Sequence, residues 1–331
     1  MDAADLELFE RSLAHALAEH EGAALDDALA EHEGAALDDA LAELGWFDAL
    51  ELEPRTAVAS LFELQGSTPA TSGALDAVLA AAGGLEAGSS VVLPSAGSWA
   101  APGALADGIL VVEGLAGAGF DDRGELWVPT RDEAEAHVAI RVPAGALSSQ
   151  RVEGMDPSLR LRRITGTVEL AGIDVEPRAL DFDALVARGR LALSHELIGA
   201  SRAMLELART HALERIQFGV PISSFQAVRH RLADALVATE SASSVLLAAW
   251  GEESGFAAQL AKAYAGRSAR LAAGHCQQVL AGMGFTAEHR YHRYFRRVLV
   301  VEQLFGASAQ LTRAMGAELL ERGGLPALFP L

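Results

Sequence analysis

From residue 181 onward the chain is organised by one period. Apolar residues recur every three or four positions through the segments 181–215, 223–250, 256–283 and 311–322, the spacing of helices that bury one face. The links between them are short, which favours antiparallel neighbours, so the spacing predicts a C-terminal four-helix bundle over 179–331. Upstream the texture differs. "SVVLPSAG", "GILVVEGLAG", "GELWVP", "AHVAIRVP" and "RRITGTVEL" are short runs rich in β-formers and punctuated by Gly and Pro, which predicts a small β-domain over 86–178. Residues 1–85 read as helical again. The predicted fold is α+β and mainly α, with an N-terminal helical domain, a reduced middle β-domain and the bundle.

Within 16–39 the twelve residues "ALAEHEGAALDD" occur twice in succession, identically. Twelve residues rotate a helical face by about 120°, since a helix turns about 100° per residue. A second copy therefore cannot bury the same stripe on the same wall, and an exposed or loosely packed extension is expected. Two units of this length are also too few and too short for a solenoid.

Composition narrows the partners. The formal net charge of -19 opposes non-specific binding to nucleic acid or to an anionic membrane. No uninterrupted apolar run reaches the roughly 18 residues of a membrane span. The lone Cys276 excludes an internal disulfide and a cysteine metal cage, so a reducing, cytoplasmic location is expected; the thiol reads as packing. His289 and His292 in "EHRYHRYFRR" have no carboxylate or cysteine at ligand spacing and read as interface or core groups rather than metal ligands. Arg290, Arg293, Arg296 and Arg297 on the same stretch suit either a solvated face or contact with an acidic partner or CoA phosphates. There is no phosphate-binding glycine loop, dinucleotide fingerprint or nucleophile elbow.

The stretch "ERIQFGVPISSFQAVRHRLAD", 214–234, ends one predicted helix, breaks at Gly219 and Pro221, and starts the next. A second distinctive block, "QQVLAGMGFTAEHRYHRYFRR", spans 277–297. With "LGW" near 45 and "GMDPSLRL" at 154–161, their order resembles the acyl-CoA dehydrogenase family over most of the chain, most strongly over 181–306. That resemblance implies FAD, and oxidation of acyl-CoA thioesters to 2,3-enoyl-CoA by a glutamate base and the flavin. It also implies that the ADP end of one subunit's FAD meets the bundle of the next. On that pattern Arg215, Gln217, Phe218 and Phe225 face a neighbour's FAD, and Gln278 and Gly282 form a second contact, with the family's glycine pair here Ala281-Gly282. Arginine offers a rigid donor fork to pyrophosphate oxygens. Taken alone, the same residues read as a solvated arginine beside core aromatics.

The resemblance puts the catalytic base at one of two places, and neither can accept a proton here. One is Phe305 in "LFGASAQ"; the other is Gly189, next to Arg190. Glu196 lies two turns from Gly189, about 11 Å along a helix, where a base must reach within about 3 Å. Glu302, a turn before Phe305, reads as a solvated or interface charge. The middle domain keeps Gly97-Ser98-Trp99 but lacks the Thr-Glu-Pro that precedes it in active members. Trp127 is followed by Val128 and Pro129, and proline supplies no backbone donor. The expected function is thus a catalytically silent subunit of a heterotetrameric acyl-CoA dehydrogenase, resembling those of steroid side-chain degradation. It would complete the FAD site of a homologous catalytic partner, which would bind most of the acyl-CoA. Two alternatives stand beside it: a self-sufficient homomeric enzyme with a displaced carboxylate, and an FAD-free scaffold.

Overall fold

The computed structural model describes residues 3–19, 36–86, 88, 90–171, 177–252 and 254–324. The N-terminal helices are α1 (Ala3–Glu19), α2 (helical residues 36–43), α3 (Trp46–Leu52), α4 (Pro54–Ser67) and α5 (Ala74–Gly83). Proline at the first position of α4 suits a helix start, where its missing N–H has no partner to lose. Gly84 ends α5 in the left-handed conformation that glycine adopts without strain.

Eight strands follow: β1 (Ser90–Val91), β2 (Gly103–Ala106), β3 (Ile109–Ala116), β4 (Glu125–Arg131), β5 (His137–Pro143), β6 (Ser148–Arg151), β7 (Arg162–Glu169) and β8 (Arg178–Ala179). They form one sheet in the order β6-β7-β3-β2-β4-β5-β8, with β1 also paired to β4. Most pairs are antiparallel, and β3 shows the alternation this permits: Leu110 and Val112 are buried, Ile109 and Val111 exposed. Leu110, Val112, Leu126, Val128, Ile140, Val142 and Ile164 pack into one apolar layer.

The bundle is built from α6 (Phe182–Glu214), α7 (Gln226–Glu252), α8 (Gly255–Leu280) and α10 (Ser308–Arg322), with the shorter α9 (Tyr291–Val301) between the last two; a hairpin of β9 (Ile216–Gln217) and β10 (Val220–Pro221) joins α6 to α7. Asp181 and Ser254 cap α6 and α8 by accepting the backbone amides of Ala184 and Ala257. Alanines 258, 261, 265, 269 and 273 of α8 are buried, so the helices meet through small side chains. Among the described helices α7 alone is long and apolar enough to cross a membrane. It packs along α6 and α8 in the bundle instead, with Leu236, Val237 and Leu247 exposed on its outer side.

The helical layers are not separate. Built Cβ atoms at Gly66 of α4 and Gly199 of α6 would fall 2.1 Å from the Glu196 carbonyl and 2.0 Å from the Glu63 carbonyl. Only glycine permits that reciprocal approach of the two backbones. Arg297 of α9 then fastens α9, α6 and the β-region together. Its Nε donates to Asp156 at 2.7 Å, its Nη1 to Glu196 at 2.8 Å and to the Ala70 carbonyl, and its Nη2 to Pro69 O, Thr71 Oγ1 and Ser158 Oγ. The reading of Arg297 as a solvated charge is corrected here: the side chain is fully enclosed.

The expectation for the repeat is corrected at its two described ends. Residues 20–35 lie outside the described residues, but both described ends are packed. Leu17 and Leu37 are buried with Leu13, Leu41 and Trp46, and Asp38 Oδ1 accepts the amide of Gly73 at 2.8 Å. A new rotation does not exclude burial when the two copies supply different helices. Leu37→Ala is expected to cost about 2–5 kcal/mol, read from the denaturant midpoint. Deleting 28–39 should cost less, because the remaining copy supplies an identical Leu-Asp-Asp before Ala40.

Candidate functional site

The break at 215–225 is a β-hairpin rather than a kinked helix. Its turn residues Phe218 and Gly219 both have positive φ, 53° and 81°, as a tight two-residue hairpin turn requires. The Ile222 amide returns to the Arg215 carbonyl at 2.8 Å. The result is a rigid protrusion. Arg215, Gln217, Phe218 and Phe225 are all exposed on it, and Phe218 is 91% exposed. Phe218 and Phe225 meet edge to face at 6.2 Å. Neither ring is core, so the aromatics form a preset outward patch.

Gln278 is exposed near the end of α8, and Gly282 lies with open space around its Cα in the following turn. Ala281 has φ 50° and ψ −131°, a conformation natural to glycine and strained for alanine. Alanine here holds a backbone shape that glycine would adopt without strain. Among the described residues no hydrogen bond links this turn to the hairpin, yet both lie at one end of the bundle. His211, one turn before the hairpin, titrates below its usual value through burial first and then the charges of His289 and Arg215.

The two positions at which a base was sought lie against each other. Phe305, 1% exposed and with φ 55°, packs its ring over Gly189: a Cβ built there would lie 3.0 Å from both Cε2 and Cζ. The ring fills the space that a residue with a side chain at 189 would need. Arg190 is buried beside it, donates from Nε to the Phe305 carbonyl at 3.2 Å, and lies 5.6 Å over the Trp99 ring. Its Nη2 is buried without a hydrogen-bond partner among the described residues. Burial lowers its pKa to about 10, with Asp183 acting in the opposite sense.

Glu302 corrects a further expectation. It is 1% exposed, not solvated. Its Oε1 accepts the Ser308 amide at 2.8 Å and the Ser308 hydroxyl at 2.6 Å, and its Oε2 accepts Gln303 Nε2 at 2.6 Å. It caps α10, and a carboxylate there also meets the positive end of the helix dipole. Glu196 is spent in the same structural way, on Arg297. Lys262, the chain's one lysine, is fully buried, and its Nζ donates to the Glu302 carbonyl at 3.0 Å. Gln303 and Gln310 flank Gly97, whose amide donates to the Gln303 carbonyl at 2.9 Å. The family resemblance pointed to Phe305, Gly189 and Arg190. It did not reveal Lys262, whose hydrogen-bond partners Glu302 and Gly306 are 40 and 44 residues away and which has no local signature.

The remaining site readings hold less chemistry. His292 Nδ1 contacts the His289 carbonyl at 2.7 Å, and no cluster of metal-binding groups occurs among the described residues. Cys276 is buried and its thiol is pushed up to about 12 by burial, so it packs rather than reacts. Trp127 is buried in β4 with Arg141 and Arg178 within 6 Å of its ring centre, at 5.7 and 5.9 Å.

A helical layer, a sheet and a bundle with an exposed hairpin define the class, and the comparisons agree. Residues 183–320 match the family described as acyl-CoA dehydrogenase, C-terminal domain. Acyl-CoA dehydrogenase IpdE2 of Mycobacterium tuberculosis (strain ATCC 25618 / H37Rv) is 32% identical over 192 residues, 56% of this chain and 58% of that protein. The chain spans about half the length of the curated relatives it matches. Among solved structures, a variant of the Tcur3481-Tcur3483 steroid ACAD superposes with a TM-score of 0.77 at 19% identity, covering 97% of this chain and 99% of that one. The ChsE4-ChsE5 complex from Mycobacterium tuberculosis gives 0.72 at 19%, covering 99% of each chain. At that identity the superpositions speak for the fold. Over residues 183–320 the chain belongs to the acyl-CoA dehydrogenase family, as its C-terminal domain.

Burial, opposed mainly by the Glu302 charge, lowers the Lys262 pKa from 10.5 to about 7. Between those values the unfolded chain holds a proton that the folded chain does not, so folding becomes more favourable as pH rises from about 7 toward 10. Lys262→Met should flatten that part of the stability profile, measured by denaturant titrations at fixed ionic strength.

Proposed function

We propose that this chain is the non-catalytic subunit of a heteromeric, FAD-dependent acyl-CoA dehydrogenase and completes the cofactor site of a homologous catalytic partner. One observation carries the reading: Phe305 is packed onto Gly189, so both positions available for a base lack a carboxylate and the space between them is filled. The nearest carboxylates named as substitutes are committed elsewhere, Glu302 to capping α10 and Glu196 to Arg297. The family's flavin chemistry supports an oxidoreductase acting on CH–CH bonds, and the names of the steroid ACAD and of the ChsE4-ChsE5 complex support a heteromer acting on steroid side-chain CoA esters.

The residues fit a donated cofactor contact better than an internal flavin bed. Trp127 is enclosed beneath two arginines and offers no open ring face, and Phe305 and Arg190 occupy the space beside Trp99. The hairpin instead presents Arg215, Gln217, Phe218 and Phe225 outward. Arg215 would hold the pyrophosphate of the partner's FAD through paired N–H donors, with the two rings covering the dinucleotide and Gln278 and Gly282 making the second contact. Bound there, FAD supplies the acceptor for the hydride leaving the acyl β-carbon. This chain's part is to bind and orient the cofactor's distal end and to exclude water from it. The exposed leucines and valine of α7, on the same bundle, support burial against a partner of the same fold.

Purified alone, the chain should be colourless and inactive toward acyl-CoA thioesters; stoichiometric flavin absorbance with turnover would favour the self-sufficient enzyme. In the co-expressed complex, Arg215→Ala should weaken FAD binding about 10- to 150-fold, the worth of a charged hydrogen bond. Glu302→Ala should lower stability and leave kcat unchanged. The reverse pattern, with FAD retained in Arg215→Ala and turnover abolished in Glu302→Ala, would overturn the proposal. A stable complex without any FAD would favour the scaffold.

A further inference from the structure

Three basic side chains gather at the end of the bundle that carries the hairpin. His211 lies in the last turn of α6, and its carbonyl accepts the Arg215 amide at 2.9 Å. Residues four apart are neighbours on a helix, and the Arg215 charge acts on the half-buried His211 ring. His289 reaches the same ring from the chain that follows the Ala281-Gly282 turn. Its Nδ1 accepts the Tyr291 amide at 3.2 Å, which fixes the ring and puts the proton of the neutral imidazole on Nε2. His211 is thus where the two blocks of the candidate site meet. No hydrogen bond joins hairpin and turn among the described residues, but each sends a basic group to this one ring.

These groups are unpartnered. Other arginines nearby have acceptors: Arg209 holds Glu206 through two hydrogen bonds, at 2.8 and 2.7 Å, and Arg229 holds the Ser223 carbonyl at 2.6 Å. Among the described residues the Arg215 guanidinium, the His211 ring and Nε2 of His289 have no hydrogen bond or ion pair. Glu214, exposed beside Arg215, is the carboxylate whose charge reaches His211, against the charges of Arg215 and His289. In a chain of net charge -19, basic groups gathered against the average field are suited to a ligand that brings negative charge. Burial and the two basic neighbours hold His211 below its usual value, so near neutral pH its ring is mostly uncharged. A pyrophosphate set against Arg215 would reverse the local field and favour the imidazolium.

We infer that His211 is a further group of the anion site begun by Arg215, and that it takes up a proton as the pyrophosphate of the partner's FAD binds. This rests on the cofactor role proposed above and gives that role a pH dependence. The sign follows from linkage. Where the bound state holds more protons than the free state, affinity rises as pH falls. It is greatest when the free histidine is already charged, and it declines as pH rises until the bound histidine loses its proton. The pyrophosphate keeps its charge over this range, so the proton is the protein's.

The test is FAD titration of the flavin-stripped, co-expressed complex from about pH 5.5 to about pH 8.5 at fixed ionic strength, with calorimetry in two buffers of different ionisation heat to count protons. Affinity should rise about 3- to 5-fold toward the acid end, the worth of a solvent-exposed ion pair, with net proton uptake. Folded His211→Gln should bind at the alkaline strength throughout and take up less proton. His211→Lys keeps a charge and should bind at the acid strength throughout. If neither variant folds, the wild-type proton count decides. The proposal is overturned if wild-type affinity is constant across the range, if binding takes up no proton, or if folded His211→Gln keeps the full pH dependence. Arg215→Ala separates this inference from the role beneath it. FAD lost from Arg215→Ala beside a pH-independent wild type overturns the part of His211 alone; FAD retained in Arg215→Ala overturns both.

Discussion

The whole arrangement depends on one enclosed cation. Arg297 sits in α9 and spends all three of its nitrogens on groups from three parts of the chain: the 69–71 turn after α4, Glu196 in α6, and Asp156 and Ser158 ahead of β7. Burial works against its charge, but Asp156 and Glu196 outweigh that and hold it protonated above the usual arginine value. A buried ion pair of this kind adds little net stability over an apolar replacement, and removing one partner costs several kcal/mol. What it contributes is register, because a planar fork with fixed donor directions accepts one arrangement of its acceptors. It ties the helical layer, the sheet and the bundle into one packing.

That register places α6, and α6 carries two different faces. One face bears Gly189 and Arg190, sealed by Phe305, Trp99 and Leu79. The other bears Ala184, Ala187, Arg188 and Leu191 on an open cavity beside Trp250. The seal is maintained by unusual investments. Phe305 and Gly306 both have positive φ, a strained state for phenylalanine. Lys262 and Arg190 are buried to grip the carbonyls of the 302–306 turn. Burying two cations to hold a turn is costly, and the cost is met by the carbonyls that the turn offers them.

The outward features run the other way. The β9–β10 hairpin and the exposed side of α7 leave large apolar groups in water, which a folded monomer gains nothing by doing. The hairpin presents its cation and its aromatics, while inside the bundle Phe305 and Gly189 meet without a carboxylate between them. That contrast between a sealed interior and a presented edge connects the fold to the proposed role in another chain's cofactor site.

Periodicity by itself determined the helical, β and helical order, since a repeat of 3.6 or 2 is written locally and survives any tertiary context. The resemblance carried by the blocks at 214–234 and 277–297 implied Arg215, Gln217, Phe218, Phe225, Gln278 and Gly282 as candidates, and the same resemblance pointed to Phe305 and Gly189. Tertiary structure decided whether each charge faces water or protein, because that depends on partners far away in sequence. Arg297 and Glu302 look like surface charges in a local window, and both are enclosed by residues that arrive from other elements. The hairpin at 216–221 escaped prediction because Phe-Gly is a poor turn signal beside Asn-Gly, and its geometry is imposed by the two long helices it joins. The cavity beside Trp250 was equally invisible: it exists only where the ends of four helices meet, and no single segment records that meeting.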